Sequence, residues 1–330
     1  MIISRTPLRV SLVGGGSDLK AFYAHEPGAV VTTAIRKYIY ITANQNFDPS
    51  RIRASYSVTE IVDSVEAVRH ELIRESLRKV GVSGGVEITS ISDIPSQGTG
   101  LGSSSTYTVG LLKALYAYKN RYVGAERLAR EACEIEIDVL GKPIGKQDQY
   151  IAAYGGLQYC RFYPDGSVFV DPIVCSTATR AALETDVLLF YTGLTRSADT
   201  ILADQKQNLE SSRCRRTLRR LVQLADETRR ALIGNDLEAF GEILHESWMV
   251  KKSLADGVST DRIDDWYERA RANGAIGGKI TGAGGGGFLF LYAPKERHDD
   301  IRHALGDLRP VPFQIEPQGS RIIYVEDSAG

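Results

Sequence analysis

The stretch Pro95-Ser96-Gln97-Gly98-Thr99-Gly100-Leu101-Gly102-Ser103-Ser104-Ser105 is the part of this chain best suited to hold an anion. Val86, Ile88 and Ile91 form a strand-like run before it, and Val109, Leu112, Leu115 and Tyr116 recur at helical spacing after it. A strand, a glycine loop and a Ser-rich helix start can together cradle a phosphate. The glycines let the backbone approach the anion, free N–H groups point at it, and the helix dipole adds positive potential. No Gly-Lys-Ser/Thr closes the loop, so it is not a Walker A sequence. The plainer alternative is a glycine turn that only caps a helix.

Three further segments hold candidate chemistry. In Pro7-Leu8-Arg9-Val10-Ser11-Leu12-Val13-Gly14-Gly15-Gly16-Ser17-Asp18, Arg9 lies opposite the Leu8–Val10–Leu12 face of a strand. It is either solvated or pointed into a polar site. Asp18, after the glycine turn, would most simply cap the next helix. In Glu134-Ile135-Glu136-Ile137-Asp138 the three acids cannot share one helix face, so Glu134 and Asp138 fall together and Glu136 points elsewhere. A solvated acidic face is the alternative there. The segment continues to Gly145-Lys146-Gln147-Asp148-Gln149. Finally, Gly278-Lys279-Ile280-Thr281-Gly282-Ala283-Gly284-Gly285-Gly286-Gly287 contains Gly-x-Gly-x-x-Gly, but ahead of a strand instead of between strand and helix. That context argues against a dinucleotide site.

In this order and spacing the four segments resemble the signatures of the GHMP kinases, the superfamily of galactokinase, homoserine kinase, mevalonate kinase and phosphomevalonate kinase. The resemblance covers nearly the whole chain. It implies an α+β fold of two lobes: a ribosomal-S5-domain-2-like lobe with the phosphate loop over residues 1–175, and a ferredoxin-like lobe over 176–330. It implies phosphoryl transfer from ATP, with Mg²⁺, to an alcohol group. By resemblance, Gly98, Gly100, Leu101, Gly102, Ser103, Ser104 and Ser105 bind the nucleotide phosphates. Glu136 and Ser104, with Ser103 the less favoured hydroxyl, bind Mg²⁺, an ion that accepts one or two protein oxygens beside water and phosphate. Asp148 is the catalytic base, and Arg9 stabilises charge at the reacting centre. Asp18, with Gly15, Gly16 and Ser17, contacts substrate hydroxyls, and Gly284 and Gly285 lie beside phosphates and substrate. A carboxylate of ordinary pKa, about 3.9, is ionised at neutral pH. A loose phosphoryl-transfer transition state mainly demands positioning. Asp148 would therefore orient the hydroxyl as well as take its proton.

Galactokinases continue the turn with Glu-His-Thr-Asp, whereas this chain has Gly15-Gly16-Ser17-Asp18. The turn is more similar to that of the bacterial D-glycero-D-manno-heptose 7-phosphate kinases. Similar to them too are Gly141 to Tyr150, Tyr191-Thr192-Gly193-Leu194-Thr195-Arg196-Ser197, and His245-Glu246-Ser247-Trp248 with Lys251-Lys252. This branch implies phosphorylation of the anomeric C1 hydroxyl to a 1,7-bisphosphate for heptose-containing surface polysaccharides. A phosphosugar acceptor calls for cations away from the ATP site: Arg196, Lys251 and Lys252, with Lys146 and Lys37 behind them. The rivals are the same chemistry on fucose, a galactose-like sugar or a deoxyheptose, and a non-catalytic sugar-responsive regulator. Retention of Arg9, Ser103, Ser104, Glu136 and Asp148 counts against a regulator. A Rossmann oxidoreductase lacks its glycine fingerprint after the first strand.

The elements that must position these residues can be read in outline. Strands are expected at 8–13, 29–34, 38–43, 86–91, 157–162, 168–171, 186–191, 288–292 and 321–325. Helices are expected at 60–80, after Gly102, and at 125–140, 145–154, 196–233, 236–253 and 261–273. Strands and helices mix without regular βαβ alternation, which argues α+β, and a boundary is plausible near 172–183. The 330 residues are 43% hydrophobic and 25% charged, with ample material for a core, and the net charge of −1 points to neither nucleic acid nor a membrane surface. No apolar run approaches the roughly 20 residues of a membrane helix. The start lacks a signal peptide's apolar region, so a cytoplasmic location fits. The four cysteines make no Cys-x-x-Cys pair and read as free thiols. Arg213, Arg215, Arg216, Arg219 and Arg220 are offset by nearby acids and read as a solvated face or a contact in a homo-oligomer.

Overall fold

A computed structural model describes residues 1–95, 98–194, 212–255 and 257–326. Strands β1 (Ile2–Val13) and β2 (Gly28–Gln45) pair antiparallel and form the spine of the larger sheet. A glycine turn and the short helix α1 (Lys20–Tyr23) join them. Then follow β3 (Ile52–Ser55), β4 (Thr59–Val62), α2 (Glu71–Val80), β5 (Val86–Ser92) and α3 (Ser103–Tyr118). Helix α4 (Ala125–Cys133) runs into a π-helical segment (Glu134–Val139). After it come α5 (Gln147–Tyr154), β6 (Leu157–Phe162) and β7 (Val168–Pro172). The remaining elements are α6 (Thr177–Thr185), β8 (Val187–Tyr191), α7 (Ser212–Ile233), α8 (Leu237–Lys252), α9 (Asp261–Ala272), β9 (Gly277–Ile280), β10 (Phe288–Tyr292), α10 (His298–Ala304), β11 (Arg309–Val311) and β12 (Arg321–Val325).

Among the described residues the larger sheet has eight strands in the order β12-β1-β2-β5-β3-β4, with β6 on the first half of β2 and β7 on β6. The smaller sheet runs β11-β8-β10-β9. This mixed, non-alternating arrangement is the expected α+β class. The last described strand returns to pair with the first and forms an edge of the larger sheet. Helix α3 lies across β1 and β2: Ser4 Oγ donates to Gly110 O at 2.8 Å and Thr106 Oγ1 to Pro7 O at 3.2 Å. Leu8, Val10 and Leu12 fill the core on one face of β1. Arg9 and Ser11 lie on the other face and are buried too, with Lys279 of β9 donating to Leu12 O at 3.0 Å.

Three expectations change. The runs 29–34 and 38–43 form one strand, and Arg36 and Lys37 are the extra residues where Leu8 pairs with Ile35 but Pro7 with Tyr38. Pro7 has no N–H to continue the ladder, so the register shifts there. Residues 60–80 are not one helix: Thr59–Val62 pairs with β3, Ile61 faces outward, and α2 begins only at Glu71. The helical spacing of Ile61, Val65 and Val68 is coincidental. The helix expected over 125–140 turns π-helical at Glu134, a distortion frequent at functional sites.

Candidate active site

The glycine loop enters α3 through three residues of positive φ, Gly98, Gly100 and Gly102, at 68°, 69° and 74°. Side chains rarely adopt that conformation. At Gly102, the residue that caps α3, a Cβ would also come within 3.2 Å of both Arg9 and Asp148. Exposed Ser104 donates to Glu136 Oε1 at 2.6 Å, Gln149 Nε2 donates to Oε2 at 2.6 Å, and Thr99 and Ser103 hydroxyls lie 3.3 Å apart. Glu136 is fully buried, and desolvation pushes its carboxyl up to about 7 despite those hydrogen bonds. The π turn is what aims it inward: Glu134 instead pairs with Lys79 at 2.6 Å, and Asp138 is exposed.

Arg9 and Asp148 form a bidentate pair: Nε donates to Oδ1 and Nη2 to Oδ2, both at 2.6 Å. Nη1 donates to Gly100 O at 2.6 Å, and the Arg9 N–H to Leu101 O at 3.1 Å. The guanidinium thus ties the candidate base to the phosphate loop, a fork geometry that a lysine could not reproduce. Asp18 does not cap α1. Its Oδ1 accepts from the Gly16 N–H at 3.0 Å, and its Oδ2 from Gln147, at 3.3 Å from the backbone and 3.1 Å from Nε2. Burial, and then the charge of Asp148, raise the Asp18 carboxyl above its ordinary value. Consecutive residues at the start of α5 therefore hold two acids and supply a third. Gln147 holds Asp18, Asp148 meets Arg9, and Gln149 holds Glu136.

The C-terminal half adds cations. Lys251 of α8 is 5% exposed and donates to Gly282 O at 2.6 Å. Its ammonium lies 3.8 Å from the place of a Cβ on Gly15, where Ser11 Oγ (3.3 Å) and Gln147 Nε2 (3.6 Å) also converge. Burial, and then Arg9, bring the Lys251 amine down to about 8. Lys279, 1% exposed, is lowered further by burial, by Lys251 and by Arg9. The glycine run packs backbone to backbone on the phosphate loop: a Cβ on Gly282 would lie 2.6 Å from Gly100 Cα, and one on Gly287 2.3 Å from Thr99 O.

The fold thus brings Arg9, Gly15, Asp18, Gly100, Gly102, Asp148 and Lys251 together, with Ser104 and Glu136 along the same loop. Gly16 contributes its N–H to Asp18. Other expected residues lie elsewhere. Ser17 Oγ is occupied by the turn, donating to Gly14 O and Ala29 O and accepting from the Ala29 N–H. Lys252 pairs with Asp264 at 2.9 Å, because successive residues of a helix face different ways. Gly284 and Gly285 pack on Val258, whose carbonyl accepts the Gly285 N–H at 2.9 Å. Lys146 donates to Gly166 O at 2.6 Å. Lys37 sits in the bulge of β2. Arg196 lies outside the described residues. Sequence reasoning missed Gln147, Gln149 and Lys279 as site residues. The two glutamines flank Asp148, and that adjacency was a usable signal, but nothing in the sequence marks Lys279 as buried. Gly145 has a plain reason: a Cβ there would lie 1.9 Å from Asp18 Oδ2.

Residues 64–156 match the GHMP kinases N-terminal domain and residues 224–308 the GHMP kinases C-terminal domain. The D-glycero-alpha-D-manno-heptose 7-phosphate kinase of Campylobacter jejuni is 32% identical over 316 residues, covering 91% of this chain and 92% of that protein. The chain is a GHMP kinase. Among solved structures, a D-glycero-D-manno-heptose 1-phosphate kinase from Bacteroides thetaiotaomicron matches this GHMP kinase with a TM-score of 0.80 and 27% identity, covering 99% of this chain and all of the other. The galactose complex of Lactococcus lactis galactokinase matches with a TM-score of 0.78 over 97% of this chain and 94% of its own, at 18% identity, and shows the common fold. GHMP kinases take their phosphoryl group from ATP. The residues present suit MgATP. Ser104 and Glu136 are hard oxygen donors, the kind Mg²⁺ prefers. The buried Glu136 carboxyl has no basic side chain paired with it among the described residues, so a bound cation would compensate it. No described helix is long and apolar enough to cross a membrane.

Proposed function

We propose that this GHMP kinase phosphorylates the anomeric C1 hydroxyl of a heptose 7-phosphate, giving the 1,7-bisphosphate used for heptose-containing surface polysaccharides. The observation that carries the reading is the bidentate Arg9–Asp148 pair, set between the phosphate loop and the buried carboxyl of Asp18. The likeness to a heptose 7-phosphate kinase, and the absence of side chains at Gly15 and Gly16, favour the heptose acceptor.

In this reading MgATP supplies the phosphoryl group, its cation held by Ser104 and Glu136. The N–H groups at the start of α3 and the glycine loop receive the phosphates. Asp18 accepts hydrogen bonds from sugar hydroxyls. Asp148 aligns the acceptor hydroxyl and takes its proton at a carboxylate oxygen. Arg9 keeps Asp148 in place and faces the charge that develops on the transferred group, where preorganised donors are most effective. Lys251 adds a cation on the acceptor side, with Arg196 a further candidate for the sugar phosphate.

A coupled ADP-release assay with MgATP tests this against D-glycero-D-manno-heptose 7-phosphate, mannose, galactose and fucose. Turnover with the heptose phosphate alone is the expected result. Turnover with an unphosphorylated sugar would keep the kinase and discard the heptose. Silence across the panel would overturn the acceptor class.

A further inference from the structure

Behind the active site lies a cavity of about 380 Å³ that no step of the phosphoryl transfer uses. Its walls include Lys20 and Tyr23 of α1, Cys133 and Asp138 at the π turn, Lys146 ahead of α5, and Asp165 in the β6–β7 turn. One layer of backbone separates it from the substrate side. The Asp18 carbonyl accepts the Lys146 N–H at 3.3 Å, and the Asp18 carboxylate occupies the space beside Gly145. Lys20, Asp138 and Lys146 each stand two residues from an acid of the site, respectively Asp18, Glu136 and Asp148. The cavity therefore touches all three segments that carry those acids.

Its polar groups are poised for a ligand. Tyr23 is only 4% exposed and lines the cavity. Burial pushes that phenol up to about 12, so it stays a donor. Lys20 and Asp138 are exposed and line the same cavity, and neither has an ion pair among the described residues. Lys146 gives one proton to Gly166 O and lies 4.9 Å over the Tyr23 ring, with two protons left. Asp165 is less available, since Ser167 already donates to its Oδ1.

We propose that this cavity is a second, non-catalytic site that binds a sugar phosphate. The ammonium groups of Lys20 and Lys146 receive the phosphate, and the Tyr23 hydroxyl and Asp138 carboxylate, a donor and an acceptor, meet the sugar hydroxyls. The volume is within the range of small-molecule sites. The ligand class follows from the cavity's own groups, independently of what the catalytic site accepts. A ligand here can couple to catalysis through the three shared segments, and such coupling typically changes affinity by about 5–150-fold.

The test is calorimetric titration of the full chain with D-mannose 6-phosphate, without nucleotide. It is repeated on Asp18→Ala, on Ala24→Trp, which crowds the cavity wall, and on the double variant Lys20→Ala/Asp138→Asn. Circular dichroism checks folding. A binding event that survives Asp18→Ala and weakens about tenfold or more in both cavity variants is expected. Binding that disappears in Asp18→Ala and is unchanged in the cavity variants would overturn the proposal, as would no binding at all. If Ala24→Trp misfolds, the double variant decides, since it adds no bulk. Should the heptose kinase reading fail instead, the ADP-release assay shows no selective turnover of the heptose phosphate while the cavity event persists.

Discussion

The two glycine loops, 98–102 and 282–287, have similar composition and touch each other, yet they do different work. The first runs into a helix, whose opening N–H groups have no partner in the preceding turn, and Arg9 and Asp148 are pressed against Gly102. The second runs into a strand and is buried in backbone contacts, with Gly282 on Gly100 and Gly284 on Val258. The first loop has a charged pair beside it, Arg9 and Asp148, joined by two hydrogen bonds. The second is tied to Lys251, a buried cation that donates to a carbonyl oxygen of the loop. Glycine at 102 makes room for the Arg9 and Asp148 side chains, and in the second loop for neighbouring backbone. The element downstream of each loop, helix or strand, decides which.

The sharpest way to probe the first loop is Asp148→Asn. It should lower kcat by about 10²–10⁴-fold with a smaller effect on the KM for ATP, because it removes the base and one of the two acceptors of the Arg9 fork. Steady-state kinetics with both substrates varied would show it, and near-normal turnover would remove Asp148 as the base.

A paired test separates the loops. Gly102→Ala should cut kcat about tenfold or more by pushing on Arg9 and Asp148, while Gly282→Ala should mainly destabilise the fold. A side chain in a left-handed conformation costs about 1–3 kcal/mol, and at Gly282 the close contact with Gly100 adds to it. Chemical denaturation beside kinetics reads both. Equal effects of the two variants on kcat and stability would erase the contrast.

Glu136 makes a pH prediction. Its folded value of about 7 lies above the ordinary 4.5, so between those values the folded chain keeps a proton that the unfolded chain has lost. Its contribution to stability is therefore complete below 4.5 and declines as pH rises toward 7. In ligand-free protein, Glu136→Gln should flatten that slope of the melting midpoint and also abolish the Mg²⁺ dependence of activity. An unchanged slope would mean that Glu136 is not buried as a neutral acid.

The smallest effect concerns Lys251. Its amine, near 8 in the fold against 10.5 ordinarily, is a buried charge below about 8, and that burden is relieved as pH rises from 8 to 10.5. Stability from this group should thus rise across that window while activity falls. Lys251→Arg should move the fall in activity to higher pH, and a profile that stays put would take Lys251 out of the reaction.

The placement of several candidate residues was legible because they lie in short segments, whereas their roles rested on the resemblance to a family. Arg9 opposite an apolar strand face, Glu136 apart from its two acidic neighbours, and Ser104 at a helix start all follow from local geometry. The errors have local causes too. Ile61, Val65 and Val68 mimic helical periodicity although the first is outward on a strand. Ser17 looked available because nothing in a sequence shows that a hydroxyl is already held by the Gly14 and Ala29 backbone.

Where the backbone is free of side chains, and which side chains share a face, were already settled in the amino-acid sequence, because steric freedom and period are properties of a few consecutive residues. It took the packed chain to bury Lys279 against Leu12, to bring Lys251 and not Lys252 to the site, and to open a cavity behind Asp18. Burial and charge environment are set by segments far apart in the chain, 267 residues in the case of Lys279 and Leu12, and no local pattern encodes that distance.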